Sequence, residues 1–194
     1  MAKKSTRNTR GRIVSAAWKL FYEQGYEDTT VEEIIELSGT SKGSFYHYFD
    51  SKDALLSTLS SLFDEKYEEL TGLLTPEMTA MEQLLFLNRE LFHMIEDSIS
   101  LDLLARLYST QLTTNGEKHL LDHNRIYYKL LRKIIAKGQA EGQLSSRSNV
   151  NEMVKLYALC ERALLYDWCL CAGEYALTEY SAKVLPGFLS SFLP

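Results

Sequence analysis

The chain is poor in the features that staple, anchor or interrupt a protein. Three cysteines among 194 residues cannot all pair, which excludes a disulfide framework. The longest unbroken apolar runs, Leu156 to Cys160 and Trp168 to Ala172, have five residues each, whereas a membrane span needs about 20; no membrane partner is expected. The N-terminal MAKKSTRNTRGR has no apolar stretch behind its charges and does not read as a secretion signal, so a cytoplasmic protein is expected. There is no phosphate-cradling glycine loop, HExxH, CxxC or nucleophile elbow; the expectation is no enzyme, no cofactor and no metal. Only three prolines occur, and no internal repeat or low-complexity linker is visible. What remains is ordinary globular composition, 45% hydrophobic and 24% charged, in a chain long enough to bury a proper core.

The net charge of −5 is unevenly spread. Lys3, Lys4, Arg7, Arg10 and Arg12 stand in the first twelve residues without an acid, while residues 13–52 carry three bases against seven acids and residues 53–194 carry 13 against 19. A basic tail on an acidic protein reads as a phosphate-seeking element, although a merely solvated terminus has the same composition.

Apolar residues recur at helical spacing throughout, and no alternating strand pattern stands out, so an all-α fold of about nine helices is expected. Ile13, Ala16, Ala17, Leu20 and Phe21 form the stripe of helix 1, stopped by Gly25. Thr30 and Glu33 form a capping box for a short helix 2, which ends at Ser38-Gly39. Helix 3 opens near Ser41 and runs to Phe49. Asp50-Ser51 caps helix 4, expected to continue to Gly72. Thr75-Pro76 starts helix 5, helix 6 covers about Leu101 to Leu112, and helix 7 carries Leu120 to Gly138. Asn149 and Glu152 open helix 8, which reaches about Ala172. Helix 9 spans Leu177 to Phe192, with Pro186 expected to kink or divide it. The organisation read from this pattern is residues 1–50 as a three-helix module with a basic arm and residues 51–194 as a helical body.

Two short helices joined by a glycine turn outline a helix-turn-helix, whose second helix lies in the major groove of DNA. Gly39 supplies the positive φ that the turn requires. Phe45 and Phe49, four apart, point toward helices 1 and 2. Thr40, Ser41, Lys42 and Ser44 gather at the helix end that reaches base edges, and Gly43 among them lets the backbone come close.

Here the sequence resembles a known family. From Ile13 to Leu56 it reads I-x-x-A-A-x-x-L-F-x-x-x-G-Y-x-x-T-T-V and then I-x-x-x-S-G-T-S-K-G-S-F-Y-H-Y-F-x-S-K-x-x-L-L, similar to the DNA-binding domain of TetR-family one-component regulators. The resemblance covers about a quarter of the chain. It implies a double-stranded, palindromic or near-palindromic DNA operator as partner, a homodimer, and a small-molecule effector of unknown identity acting on what is most often a repressor. Thr40, Ser41, Lys42, Gly43 and Ser44 match positions that touch bases and flanking phosphates. Lys42, the only long donor there, is assigned a guanine contact. Thr30 can offer its hydroxyl or backbone NH to a phosphate. Tyr46 and His47 match backbone-contacting positions, with interhelix packing the alternative for Tyr46, and Tyr48 reads as structural. Lys52 opposes the dipole of helix 4 at a cost of ~0.3 to 1 kcal/mol, a conflict that a bound phosphate would remove. Helix 2, with Glu32, Glu33 and Glu36, carries no base, so affinity should lean on the arm, where Arg7 and Arg10 could enter a minor groove.

One short reading head contacts few base pairs, which asks for two at fixed spacing. Helix 8 is apolar nearly all round, and with helix 9 it offers Leu164, Leu165, Tyr180, Val184 and Phe188 for a dimer contact, although a helix central in a monomer has the same composition. The family resemblance places an effector pocket between helices 4 and 7; Phe63, Tyr67, Phe86, Phe92, Leu104, Tyr108, Tyr127, Tyr128, Tyr157 and Trp168 are its candidate lining, and plain core is the alternative for each. Twelve tyrosines suit an apolar or aromatic effector with a few hydrogen bonds, and helix 4 is the expected lever between effector and DNA. Cys160, Cys169 and Cys171 read as small buried hydrophobes. His119 and His123, four apart on helix 7 beside Asp122, lack a third ligand for a metal, and His93 attaches to no motif. Other readings of the residues stay open: a helical carrier or enzyme whose first helices are not a DNA reader, or an interaction protein whose arm meets an acidic partner.

Overall fold

A computed structural model describes residues 2–113 and 118–194, with side chains from Thr9 onward. Among these residues it is all-helical, with ten α-helices: α1 Ala2–Gln24, α2 Val31–Ser38, α3 Lys42–Tyr48, α4 Lys52–Leu56, α5 Leu59–Thr71, α6 Ala80–Ser98, α7 Leu101–Thr113, α8 Ile126–Ala140, α9 Val150–Leu170 and α10 Leu177–Leu189. Short 3₁₀ turns at His119–Leu121 and Ser190–Phe192 complete it.

The chain divides into two compact units, residues 1–60 and 61–194, so the first ends ten residues later than the 1–50 module read from the sequence. The added segment is fastened to the first three helices by polar bonds: Lys52 and Asp53 reach the α1–α2 loop, and the Trp18 Nε1–H donates to Thr58 Oγ1 at 2.9 Å. In this unit α1, α2 and α3 pack together, with Ile13, Ala17, Ile34 and Phe45 completely buried. Gly39 closes α2 in the left-handed region, φ 58°, as its place in the turn requires.

The expected helix 4 is two helices. The hydroxyls of Ser57, Thr58 and Ser60 donate to carbonyls three residues back (2.6–2.7 Å), and the Thr58 and Ser60 amides make i−3 bonds as well. Back-bonding hydroxyls compete with the regular ladder and tighten it to a 3₁₀ turn. Helix 5 begins later than Thr75-Pro76, at Ala80, because Thr79 and Glu82 form a complete capping box. The expected helix 7 does not include His119 and His123, which lie in the 3₁₀ turn and the loop after it; among the described residues no cluster suits a metal. Cys171 is already past the end of α9. Pro186 leaves α10 continuous; both Pro186 and Ala182, whose carbonyl loses its partner, face solvent.

In the second unit α10 packs on α6 and α9, α8 on α6 and α9, and α7 on α9. Gly138, expected to end a helix, sits inside α8, where a Cβ would come within 2.6 Å of the Ala80 side chain. Glu96 caps α10 by accepting from the Leu177 and Thr178 amides, the latter at 2.9 Å, a carboxylate at the positive end of a helix. No described helix is long and apolar enough to cross a membrane.

Candidate functional site

Two polar constellations stand out, one in each unit. In the first, α3 has two faces. Phe45 is fully buried and Phe49 nearly so, while Ser41, Lys42, Gly43, Tyr46 and His47 are exposed. Ser41 caps the helix, its Oγ accepting from the Ser44 amide at 3.1 Å and pairing with Ser44 Oγ at 3.0 Å. Thr40 Oγ1 pairs with Ser38 Oγ at 2.7 Å. The hydroxyls thus hold one another in a fixed array and keep acceptor positions open to the outside. Lys42 projects into solvent, its ammonium 3.3 Å from Glu32, with side-chain exposures of 68% and 71%; so open a pair contributes little to stability and is easily exchanged. His47 lies edge-on to Tyr48, and Tyr46 to Phe45.

Three assignments change here. Lys52 is no free cation: its Nζ donates to the carbonyls of Tyr26 (2.6 Å), Thr29 (2.8 Å) and Glu27 (3.3 Å) and lies 4.2 Å from the centre of the Tyr26 ring. Three acceptors take the three protons of the ammonium, which removes the conflict with the helix dipole without any phosphate. Thr30 is equally engaged. Its amide and hydroxyl donate to Glu33 Oε2 at 2.7 and 2.8 Å, bonds that hold the Glu33 carboxyl below the usual range and fill the helix N-terminus with a carboxylate. The basic residues do not form an arm detached from helix 1, since α1 begins at Ala2. Arg10 lies over the Phe49 ring at 5.4 Å, whereas the side chain of Arg7 lies outside the described ones. Sequence reasoning passed over Arg12, whose guanidinium donates to the Ser38 and Gly39 carbonyls and so fixes the turn before α3.

The second constellation lines a small cavity, about 50 Å³, within residues 61–194. Of the residues expected there, Phe63, Tyr67, Phe92, Tyr108 and Tyr127 meet at it. Phe86 instead lines a separate groove of about 600 Å³ with Met78, Thr178 and Pro186. Leu104 is core, Tyr157 donates to the Leu84 carbonyl (2.8 Å), Trp168 to that of Tyr175 (2.9 Å), and Tyr128 to that of Leu120 (3.0 Å). Leu165, assigned to the dimer contact, lines the cavity, and Leu164 beside it is buried too.

Glu161 was missed. It is 4% exposed and accepts from the Tyr127 hydroxyl (2.6 Å) and Asn88 Nδ2 (2.9 Å). Burial pushes its carboxyl above the usual range, against the hydrogen bonds from Tyr127 and Asn88 and the nearby charge of Arg162, which favour the ionised form. Arg125 and Asp64 pair at 2.9 Å, nearly enclosed, and Arg162 donates to the Tyr128 hydroxyl at 3.2 Å. One signal was available: Glu161-Arg162 are the only charges between Leu156 and Leu165.

Residues 13–59 match the family model "Bacterial regulatory proteins, tetR family". Residues 13–59 are a TetR-family DNA-binding domain. Within that domain α3 stands in the place of the recognition helix. A helix-turn-helix transcriptional regulator of the lacX 3′ region of Lactococcus lactis subsp. lactis is 41% identical over 56 residues, 28% of this chain and 29% of that one. QacR of Staphylococcus aureus is 36% identical over 62 residues, 32% and 33% of the two chains. These matches span a third or less of the relatives' length. The TetR-family repressor FadR of Thermus thermophilus, solved with lauroyl-CoA, superposes over 95% of both chains with TM-score 0.76 and 26% identity. The helical body therefore shares the TetR architecture as well.

Proposed function

We propose that this chain is a sequence-specific DNA-binding repressor, acting in the cytoplasm as a homodimer and released from a palindromic or near-palindromic operator by a small, largely apolar or aromatic effector. The observation that carries this reading is the division of α3, with Phe45 buried beneath and Ser41, Lys42 and Gly43 presented together outside. A helix anchored on one side and polar at its N-terminal end is what insertion into a major groove requires. Beyond its chain neighbours and its own helix backbone, Gly43 has only Ser41 Oγ, at 3.9 Å, near where a Cβ would stand, leaving room for bases. Thr40 and Ser44 adjoin this edge, and Tyr46, His47 and Arg10, which lies over Phe49, stand toward the other end of α3.

For the dimer, the exposed apolar residues of α9 and α10 are Leu159 (52%), Tyr166 (46%), Leu170 (66%) and Tyr180 (42%), with Val184 and Phe188 half-buried. They replace Leu164 and Leu165, which their own protomer covers. The effector's place is the cavity bounded by Phe63, Tyr67, Tyr108 and Tyr127. Its wall includes residues of α5, and a shift of that helix on binding would alter the fit to an operator, with coupling of typically ~1 to 3 kcal/mol.

Selection of bound duplexes from a random DNA pool tests the reading. A repeated half-site and a steep loss of binding with salt are expected; equal binding of all duplexes, or of none, overturns it. Within the selected site, Lys42→Ala should relax preference at one base pair, lowering discrimination by about 1–3 kcal/mol, measured by competition between matched and mismatched duplexes.

A further inference from the structure

We propose that the cavity recognises a protonated amine carried by an apolar body, with Glu161 as counter-ion and the hydroxyls of Tyr67 and Tyr108 as further acceptors. The proposal rests on the effector reading for its location and adds the charge and chemistry of the ligand's head.

Three observations carry it. The first is what lines the space. Among the described residues that line the space Glu161 is the one carboxylate, and no cation is hydrogen-bonded to it: Arg125 is held by Asp64, and Arg162, whose charge reaches Glu161, donates to the Tyr128 hydroxyl. The bonds to Glu161 come from neutral groups, the Tyr127 hydroxyl and the Asn88 amide. A buried carboxylate so held is completed by a cation, and leaving one unpaired is costly. The second is two idle hydroxyls. Tyr67, 2% exposed, and Tyr108 line the cavity without a hydrogen-bond partner for either phenol among the described residues. No sealed polar atom lacks a partner, so these two hydroxyls open onto the cavity, and both lie within the electrostatic reach of Glu161. An ammonium has three protons to donate, matching the carboxylate and the two phenol oxygens.

The third is the aromatic enclosure. Phe63, Tyr67, Phe92, Tyr108 and Tyr127 surround the space, with the Tyr67 and Tyr127 rings 5.0 Å apart. Their faces attract a desolvated cation; the two guanidinium groups of the wall, Arg125 and Arg162, are already engaged by Asp64 and by the Tyr128 hydroxyl. The free volume, about 50 Å³, fits such a head group, and the apolar body of the ligand displaces side chains beyond it.

Three probes sharing one ring separate the alternatives: 2-phenylethylamine, 2-phenylethanol and phenylacetate, titrated calorimetrically into the full chain, with lauroyl-CoA as a fourth. The amine should bind at least about tenfold more tightly than the alcohol, as expected for a charge-assisted hydrogen bond. Glu161→Gln, which keeps the shape and removes the charge, should abolish that preference. Tyr67→Phe, which removes one oxygen and keeps the ring, should weaken the amine alone by several-fold and guards against a misfolded Gln variant. Equal binding of amine and alcohol, preference for phenylacetate or lauroyl-CoA, or an amine preference surviving in Glu161→Gln overturns the proposal. Operator release is measured separately: amine binding that leaves the DNA complex intact sinks the effector reading and spares the assignment of the head group, whereas release by a neutral or anionic compound does the reverse.

Discussion

The outer face of α3 and the lining of the body cavity are both polar clusters of hydroxyl and charged groups, yet they are built in opposite ways. On α3 the serines and threonine satisfy one another at the surface, and the charges there, Lys42 and Glu32, stay about two-thirds exposed or more. Water can replace every one of those bonds, so the face is held ready at little energetic cost and gives up its partners easily. Around Glu161 the bonds are buried: Tyr127, Asn88 and Ser181 form a chain in which each group depends on the next. A surface meant to be exchanged for DNA tolerates weak pairs, whereas a buried network must be complete.

The comparison can be broken at its strong end first. Glu161→Ala leaves the Tyr127 hydroxyl and the Asn88 amide without an acceptor and opens a cavity; a loss of about 2–5 kcal/mol is expected in urea unfolding of the body, and a change below 1 kcal/mol would show the network to be dispensable. Glu161→Gln sharpens the same point through pH. Because burial raises the Glu161 carboxyl above its ordinary range, the folded chain holds that proton more tightly than the unfolded one. Its contribution is therefore full at acid pH and is lost as pH rises through the folded value. Stability of the native protein should fall relative to Glu161→Gln from about pH 4 upward, read by thermal melting in a buffer series; parallel curves would refute it.

Lys52→Met comes next. It strands the carbonyls of Tyr26, Glu27 and Thr29 and should destabilise the head by about 1–3 kcal/mol. If stability is unchanged and the salt dependence of DNA binding drops by about one phosphate contact, the lysine is a phosphate anchor after all. Thr30→Ala removes the cap of α2 and should cost about 0.5–2 kcal/mol in denaturant unfolding; an unchanged midpoint would mean that Glu33 caps the helix alone. The smallest effect belongs to Glu32→Gln. Freeing Lys42 from its exposed partner should tighten DNA binding by less than about 1 kcal/mol without altering head stability, and weaker binding would mark Glu32 itself as a DNA contact.

Most of the head was legible in the residues. The Thr30–Glu33 box, the Gly39 turn, the Ser41 cap and the buried Phe45 stand where the pattern put them, because each is a short-range rule satisfied within a few residues. The bonds of Lys52 were not legible, for the opposite reason. Its position at a helix N-terminus is local information, but its partners are 23 to 26 residues away. The break at Ser57–Ser60 and the late start of α6 were missed where hydroxyl side chains redirected the backbone locally. In the body, an aromatic stripe does not say which rings face one another, so Phe63, Tyr67, Phe92, Tyr108 and Tyr127 could not be told from Phe86, Leu104 or Trp168.

Helical class, the order of the elements and the two-faced recognition helix follow from spacing and capping, which act between neighbours in the chain. Tertiary structure alone decided that Lys52 bonds three carbonyls of the α1–α2 loop, that Leu164 and Leu165 are buried within their own protomer, and that Glu161 meets Asn88 across 73 residues. Those outcomes depend on which burial and hydrogen bonds long-range packing makes available, and no local pattern contains them.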